Sequence, residues 1–177
     1  MKTVYLTNIP APYREDCHEI VYKNLNRNYL VIYCSKAESD RKWKLERRTY
    51  RKIFLKDSSI KFKKKNIYIG FDIINILNKE NPNIIILNGL APTMIFAFIW
   101  AKIKNCKIIA STDANILTEN LQGINFIQKL IRILIYKRFD AYIGASKKSL
   151  KLFEFYGAKA KNKFFVSHYF LTHPFLL

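Results

Sequence analysis

KTVYLTNIPAPYR, from Lys2 to Arg14, opens the chain with a strand, a stiff turn and the start of a helix. Thr3-Val4-Tyr5-Leu6-Thr7 is a β-branched and aromatic run, the composition of a strand. It stops at Asn8, and the turn that follows holds Pro10 and Pro12, which fix φ and cannot donate to a sheet ladder. A helical pattern begins near Tyr13, with Cys17, Ile20, Val21, Asn24 and Leu25 at spacings of three and four. This is the first βα unit of an open parallel sheet, in which ligands bind outside the carboxyl ends of the strands.

The same alternation continues outward. Tyr29 to Ser35 is a nearly continuous apolar run suited to a buried parallel strand. Residues 36–46 are polar and without a period, so they read as a loop. Thr49 to Leu55 reads as an edge strand, and the segments around Ile60 and Ile67 as a small hairpin. Phe71 to Lys79 has helical spacing, closed by Asn81-Pro82. Asn83 to Asn88 is the clearest buried strand. Gly89 breaks it, and Pro92 suits the first turn of a helix running to about Lys104. Lys107 to Thr112 is a further strand, and Gly123 precedes a long helix to about Phe139. Ala141 to Ala145 is a strand, Ser146 an N-cap for a helix from Lys147 to Tyr156, Gly157 its end, and Phe164 to Ser167 the last strand. Strand and helix alternate throughout, predicting a doubly wound, mainly parallel α/β sheet with helices on both faces. Right-handed crossovers then place every strand-end loop on one rim.

At 177 residues the chain suits one domain with a proper core. Met1-Lys2 runs straight into a strand with no apolar leader, so no signal peptide is expected. Cys17, Cys34 and Cys106 are odd in number and far apart, and read as small core hydrophobes of a reducing compartment. The formal charge is +18, and thirteen basic against four acidic residues fall between Lys36 and Lys65. Such a field favours phosphate-bearing partners, whether an anionic membrane face or nucleic acid; it equally suits a merely solvated surface. Trp43, Tyr50, Phe54 and Phe62 interleave with the basic residues, as stacking platforms for single strands do, yet no recognised nucleic-acid motif accompanies them. Ile84 to Ala101 is interrupted by Asn88, Gly89, Pro92 and Thr93, and Ile124 to Phe139 is too short and too charged to span a bilayer. Packing on the sheet is the expectation for the helix 124–139, with a seat in a membrane interface as the alternative.

Motifs for much of the common chemistry are missing. The first βα turn has neither a Walker A pattern nor G-x-G-x-x-G, no G-x-S-x-G elbow occurs, and His18, His168 and His173 lack metal-ligand spacing, so no metal is expected. What remains are polar residues at strand ends: Asn8, Asn88-Gly89, Asp113 with Asn115, Ser146, and Ser167-His168. Asp113 is the sharpest. Past a buried strand it can take a proton from, or orient, a sugar hydroxyl; Asp in STDAN is equally suited to a local backbone cap.

TNIPAPYR, the basic segment with Arg41-Lys42-Trp43, ILNGLAPTMIFAFIWAK, IIASTDAN and DAYIGASKKSLKLFEFYGA, in this order, resemble the N-terminal domain of GT-B glycosyltransferases of the family 4 type. Asp140, Ser146 and Gly157 match a strand-helix-turn signature late in that domain. The resemblance implies a Rossmann-like half of a GT-B fold over residues 1–170, with 171–177 as the start of a linker or a truncated tail, and a donor-binding C-terminal domain absent. It implies transfer from a nucleotide sugar to a lipid-linked or polysaccharide acceptor at the cytoplasmic face of a membrane, with the nucleotide sugar bound by the complete enzyme and not by this domain alone. A separate donor-domain chain is an implied partner. By the same resemblance Asn8, Pro10, Pro12, Tyr13, Arg14, Arg41, Trp43, Asn88, Gly89 and Asn115 would line the acceptor side, Ser146 and His168 would face the second domain, and Asp113 would sit by the reacting sugar. The family's E-x7-E motif has one literal counterpart, Glu38 and Glu46, in the wrong context.

Overall fold

The computed structural model describes residues 1–37, 47–56, 59–62, 65–121, 123–159 and 163–165. The elements in chain order are β1 (Thr3–Thr7), α1 (Pro12–Asn24), β2 (Tyr29–Tyr33), β3 (Arg51–Phe54), β4 (Ser59–Phe62), β5 (Lys65–Tyr68) and α2 (Asp72–Glu80). They continue with β6 (Ile84–Asn88), α3 (Pro92–Ile103), β7 (Lys107–Thr112), α4 (Ile116–Leu121), α5 (Phe126–Tyr136), β8 (Ala141–Gly144), α6 (Lys147–Phe155) and β9 (Lys163–Phe165).

Seven strands form one parallel sheet in the order β3-β2-β1-β6-β7-β8-β9, and β4 and β5 form a separate antiparallel hairpin. The order reverses beside β1: the chain first builds outward through β2 and β3, then returns to lay β6 on the other side. The expected doubly wound sheet, in the shape of a GT-B-like half, is what the chain adopts.

Register explains how one sheet serves two cores. Val4 pairs with Leu30 and Ile85, and Leu6 with Ile32 and Leu87, and all six are fully or almost fully buried. These positions share one face with Ile73 and Leu77 of α2, Met94, Ala97 and Ala101 of α3, and Leu152 and Phe153 of α6. Tyr29, Val31 and Tyr33 point to the other face, where Val21 and Tyr22 of α1 cover them. That smaller core is partly polar: Tyr33 and Tyr50 donate to the buried Glu15 carboxylate (2.8 and 2.5 Å), and His18 Nδ1 meets the Tyr29 hydroxyl at 2.8 Å. Burial first, then the neighbouring Tyr50 and Glu15, push the Tyr33 phenol far above its ordinary value, so it stays a donor.

Two local expectations are corrected. The segment after β7 contains α4, whose start is fixed by Asn115: its side-chain oxygen accepts from the Leu117 and Thr118 amides (3.0 and 3.1 Å). The long helix expected from Gly123 to Phe139 is α5 alone, opened by a capping box between Asn125 and Gln128. It packs only part of its apolar surface inward: Ile133 and Ile135 are half-buried against the main core. Tyr136 is its buried residue, held among the rings of Phe139, Phe153 and Tyr156, while Phe126, Ile127, Leu130 and Leu134 are exposed. Arg132 turns the inward edge polar through its ion pair with Glu119. Among the described residues no helix is long and apolar enough to cross a membrane.

Glu80, at the end of α2, ties that helix to the start of the central strand β1 through Lys2 (2.6 Å) and to the edge strand β3 through Arg51 (3.2 Å). Burial acts to raise its pKa, but the Lys2 hydrogen bond and the Arg51 and Lys2 charges outweigh it and hold the carboxyl below its ordinary 4.5. A depressed carboxylate stabilises the fold above its unfolded pKa and loses that contribution as pH falls through the folded one. Glu80→Gln should therefore cost about 1–3 kcal/mol in urea unfolding at pH 7, with the difference from wild type shrinking as pH drops below 4.5. A second prediction concerns Gly144, where an added Cβ would lie 2.9 Å from the Leu150 side chain and 3.0 Å from its backbone nitrogen. Gly144→Ala should lower stability by about 1–3 kcal/mol, read as a lower melting temperature.

Candidate functional site

β1, β6 and β7 lie side by side, and their carboxyl ends bring Thr7, Asn88 and Thr112 to one rim where the strand order reverses. Here a cleft of about 490 Å³ opens, lined on one side by Thr7, Asn8, Tyr13, Arg14, Asn88, Gly89 and Asp113, and on the other by Glu119, Arg132 and Tyr136. Gly89 sits at φ +94°, a backbone conformation that favours glycine, in the loop after β6.

Arg14 organises this rim. One turn into α1, it is 8% exposed. Its Nη2 donates to Asp113 Oδ2 at 2.7 Å and its Nη1 to Thr7 Oγ1 at 3.2 Å. The Asn88 amide completes the set with its oxygen toward Thr7 Oγ1 (2.9 Å) and the Arg14 guanidinium, and its nitrogen toward the Ser111 carbonyl (3.2 Å). The Tyr13 ring lies 5.3 Å from the guanidinium, and its hydroxyl donates to Asp113 at 3.5 Å. Burial works against the Arg14 charge, but Tyr5, Asp113 and Tyr13 outweigh it and push its pKa up. The guanidinium is a fixed cation linking α1, β1 and the β7 loop.

Asp113 is half exposed, held through Oδ2, with no described hydrogen bond to Oδ1. The local capping duties of its loop fall to neighbours: Thr112 Oγ1 accepts from the Ala114 amide (3.1 Å), and Asn115 caps α4. The Asp113 carboxylate is thus turned to the cleft and to Arg14. On the far wall Glu119 is buried, accepts from the Tyr156 hydroxyl (2.5 Å) and pairs with Arg132.

The structure brings together Asn8, Tyr13, Arg14, Asn88, Gly89 and Asp113. Pro10 is buried in the first turn, and Pro12 starts α1 with its ring exposed. Asn115 and Ser146 are spent as helix caps, Ser146 accepting from the Ser149 amide at 3.0 Å, and neither lines the cleft. Arg41, Trp43, His168, the Glu38–Glu46 pair and residues 166–177 lie outside the described residues. Thr7, Glu119 and Arg132 went unread in the sequence. Thr7 had a signal in its place at the end of β1, whereas the other two meet only through the packing of α4 and α5. Among the described residues no group of three His, Cys, Asp or Glu side chains is placed to hold a metal.

No family model and no curated protein matches this chain at the sequence level. Similar solved structures include Anabaena HepE in complex with UDP and glucose, at 12% identity over 94% of this chain and 44% of that one, with a TM-score of 0.65. The UDP-N-acetylglucosamine 2-epimerase of Rickettsia bellii is similar at 14% identity over 96% and 46%, with a TM-score of 0.55. That of Methanocaldococcus jannaschii is similar at 13% over 94% and 45%, also with 0.55. The chain spans less than half the length of these proteins, and at such identities the likeness shows the fold.

These comparisons correct the reading as a family 4 glycosyltransferase domain acting in polysaccharide synthesis. The structures sharing the fold are named as UDP-sugar 2-epimerases and as HepE with UDP-sugar ligands, and isomerising a nucleotide sugar delivers nothing to an acceptor. The motifs behind that reading have local structural work instead. Asp140 accepts from the Ile108 amide (2.9 Å), Ser146 caps α6, and Gly157 takes the left-handed turn after it at φ +85°. The expectation that this domain alone binds no nucleotide sugar is corrected as well: HepE, which shares this fold over the matched region, is seen with UDP and with UDP-glucose. The chain shares its architecture with enzymes that use nucleotide sugars.

Proposed function

We propose that this chain is one lobe of a UDP-sugar-isomerising enzyme of the 2-epimerase type, with the rim cleft as its wall of the substrate site. The observation that carries this reading is Asp113, a half-exposed residue of the cleft lining pinned through Oδ2 by the buried Arg14. Inverting a sugar carbon by proton exchange takes a proton from one face and returns one to the opposite face; a fixed carboxylate bordering the ring suits the first task, and the second falls to a group of the facing lobe. Arg14 holds the carboxylate in place, and Asn88 and the Gly89 loop border the space where sugar hydroxyls would lie. A second lobe, in the same polypeptide or a separate chain, would close the cleft and supply the facing groups. The names of the similar structures support this reading.

The test is an amide NMR titration of the purified chain with UDP-N-acetylglucosamine and UDP-glucose. Shifts should concentrate on Gly89, Asp113 and Ala114, and Asp113→Asn should weaken binding about tenfold, the scale of a lost hydrogen bond to a charged group. Arg14→Lys, which cannot span Thr7 and Asp113 with one planar fork, should weaken it similarly. Shifts confined to other surfaces, or none at millimolar ligand, would overturn the assignment.

A further inference from the structure

Helix α5 carries an apolar stripe that the fold leaves outside. Phe126, Leu130 and Leu134 recur every four residues along one edge, with Ile127 beside them; Phe126 is 79% exposed and Leu134 49%. By contrast α3, of similar length, buries six of its residues. The stripe's surroundings are cationic. Lys137 and Arg138 continue the same edge one turn later, and Lys129 is exposed near its start. None of the three forms a described ion pair, although Arg138 donates to the Leu134 carbonyl (2.8 Å). Helix α6, joined to α5 through the contacts of Tyr136 with Phe153 and Tyr156, adds exposed Lys147, Lys148, Lys151 and Phe155.

From this juxtaposition we propose that α5 docks the protein on an anionic bilayer surface, its Phe126–Leu130–Leu134 edge seated among the acyl chains and its lysines and arginine at the phosphate level. Charge selects this occupant. A second copy of the chain would set the same unpaired cations against one another on a protein of formal charge +18, whereas an anionic lipid surface satisfies both the apolar edge and its basic border. Long basic side chains suit that border because their stems lie along apolar surface while their heads stay wet. The proposal is independent of the nucleotide-sugar reading, because the stripe lies outside the cleft lining.

The experiment is co-sedimentation of the whole chain with phosphatidylcholine vesicles, with and without about 30 mol % phosphatidylglycerol. Binding should require the anionic lipid. Phe126→Ser with Leu130→Ser, at exposed positions that leave the melting temperature unchanged, and Lys137→Glu with Arg138→Glu should each weaken it by about tenfold or more. Because the basic segment 36–65 could bind vesicles by charge alone and carries Trp43, Phe126→Trp in a Trp43→Phe background, compared with Trp43→Phe alone to subtract the buried Trp100, supplies a local readout: its fluorescence should shift to the blue and be quenched by brominated lipid. Sedimentation that persists without quenching of that tryptophan would overturn the proposal. So would concentration-dependent dimerisation abolished by the double serine variant, which would give the stripe to a second copy.

Discussion

A buried guanidinium must be paired, because removing a full charge from water costs several kcal/mol unless neighbours replace the lost hydration. Arg14 meets that demand with groups from separate strands: Thr7 at the end of β1, Asn88 at the end of β6, and Asp113 just past β7. The cleft's near wall is therefore set by the needs of one cation. Its partners cannot drift apart without exposing the charge to an unsolvated interior, so the rim is held together by the same contact that aims Asp113.

The topology makes that contact reachable. Only where the strand order reverses do neighbouring crossovers leave to opposite faces and open a crevice between their loops. Here the reversal falls between β1 and β6. The turn of residues 8–11 brings α1 back along one face, so that Arg14 reaches over the tips of the strands. The prolines belong to this geometry: Pro12 occupies the first turn of α1, where its missing N–H costs nothing.

Much of the architecture was legible in the sequence because parallel strands buried on both faces leave continuous apolar runs, as in YLVIY of β2 and IIIL of β6. Helix starts were legible where chemistry is local, at Pro92 and Ser146. Helix α4 escaped because ILTENL is short and its start rests on the Asn115 side chain in a segment that reads equally well as a loop. The orientation of α5 escaped for another reason: an apolar period says which residues share an edge, not which edge faces inward, and here Tyr136 and the Arg132–Glu119 pair settled that. In the site, Asn88 and Asp113 were visible as polar residues at strand ends. Their convergence on a buried Arg14 was not, since burial of a charge depends on partners distant in sequence. The family reading went wrong because the fold imposes its caps and turns on any sequence that adopts it.

The bond between Thr7 and Asn88 joins positions 81 residues apart. Thr7 has local partners in Arg14 and in its β2 neighbour Tyr33, but Asn88 reaches the rim only when β6 docks on β1, and the closure entropy of that long loop must be met first. The β1–β6 pairing thus closes a far longer loop than the β1–β2 pairing does. Intermediates that have formed only the β1-α1-β2 unit would carry Arg14 with neither Asn88 nor Asp113 beside it, so the full set of Arg14 contacts belongs to the completed sheet.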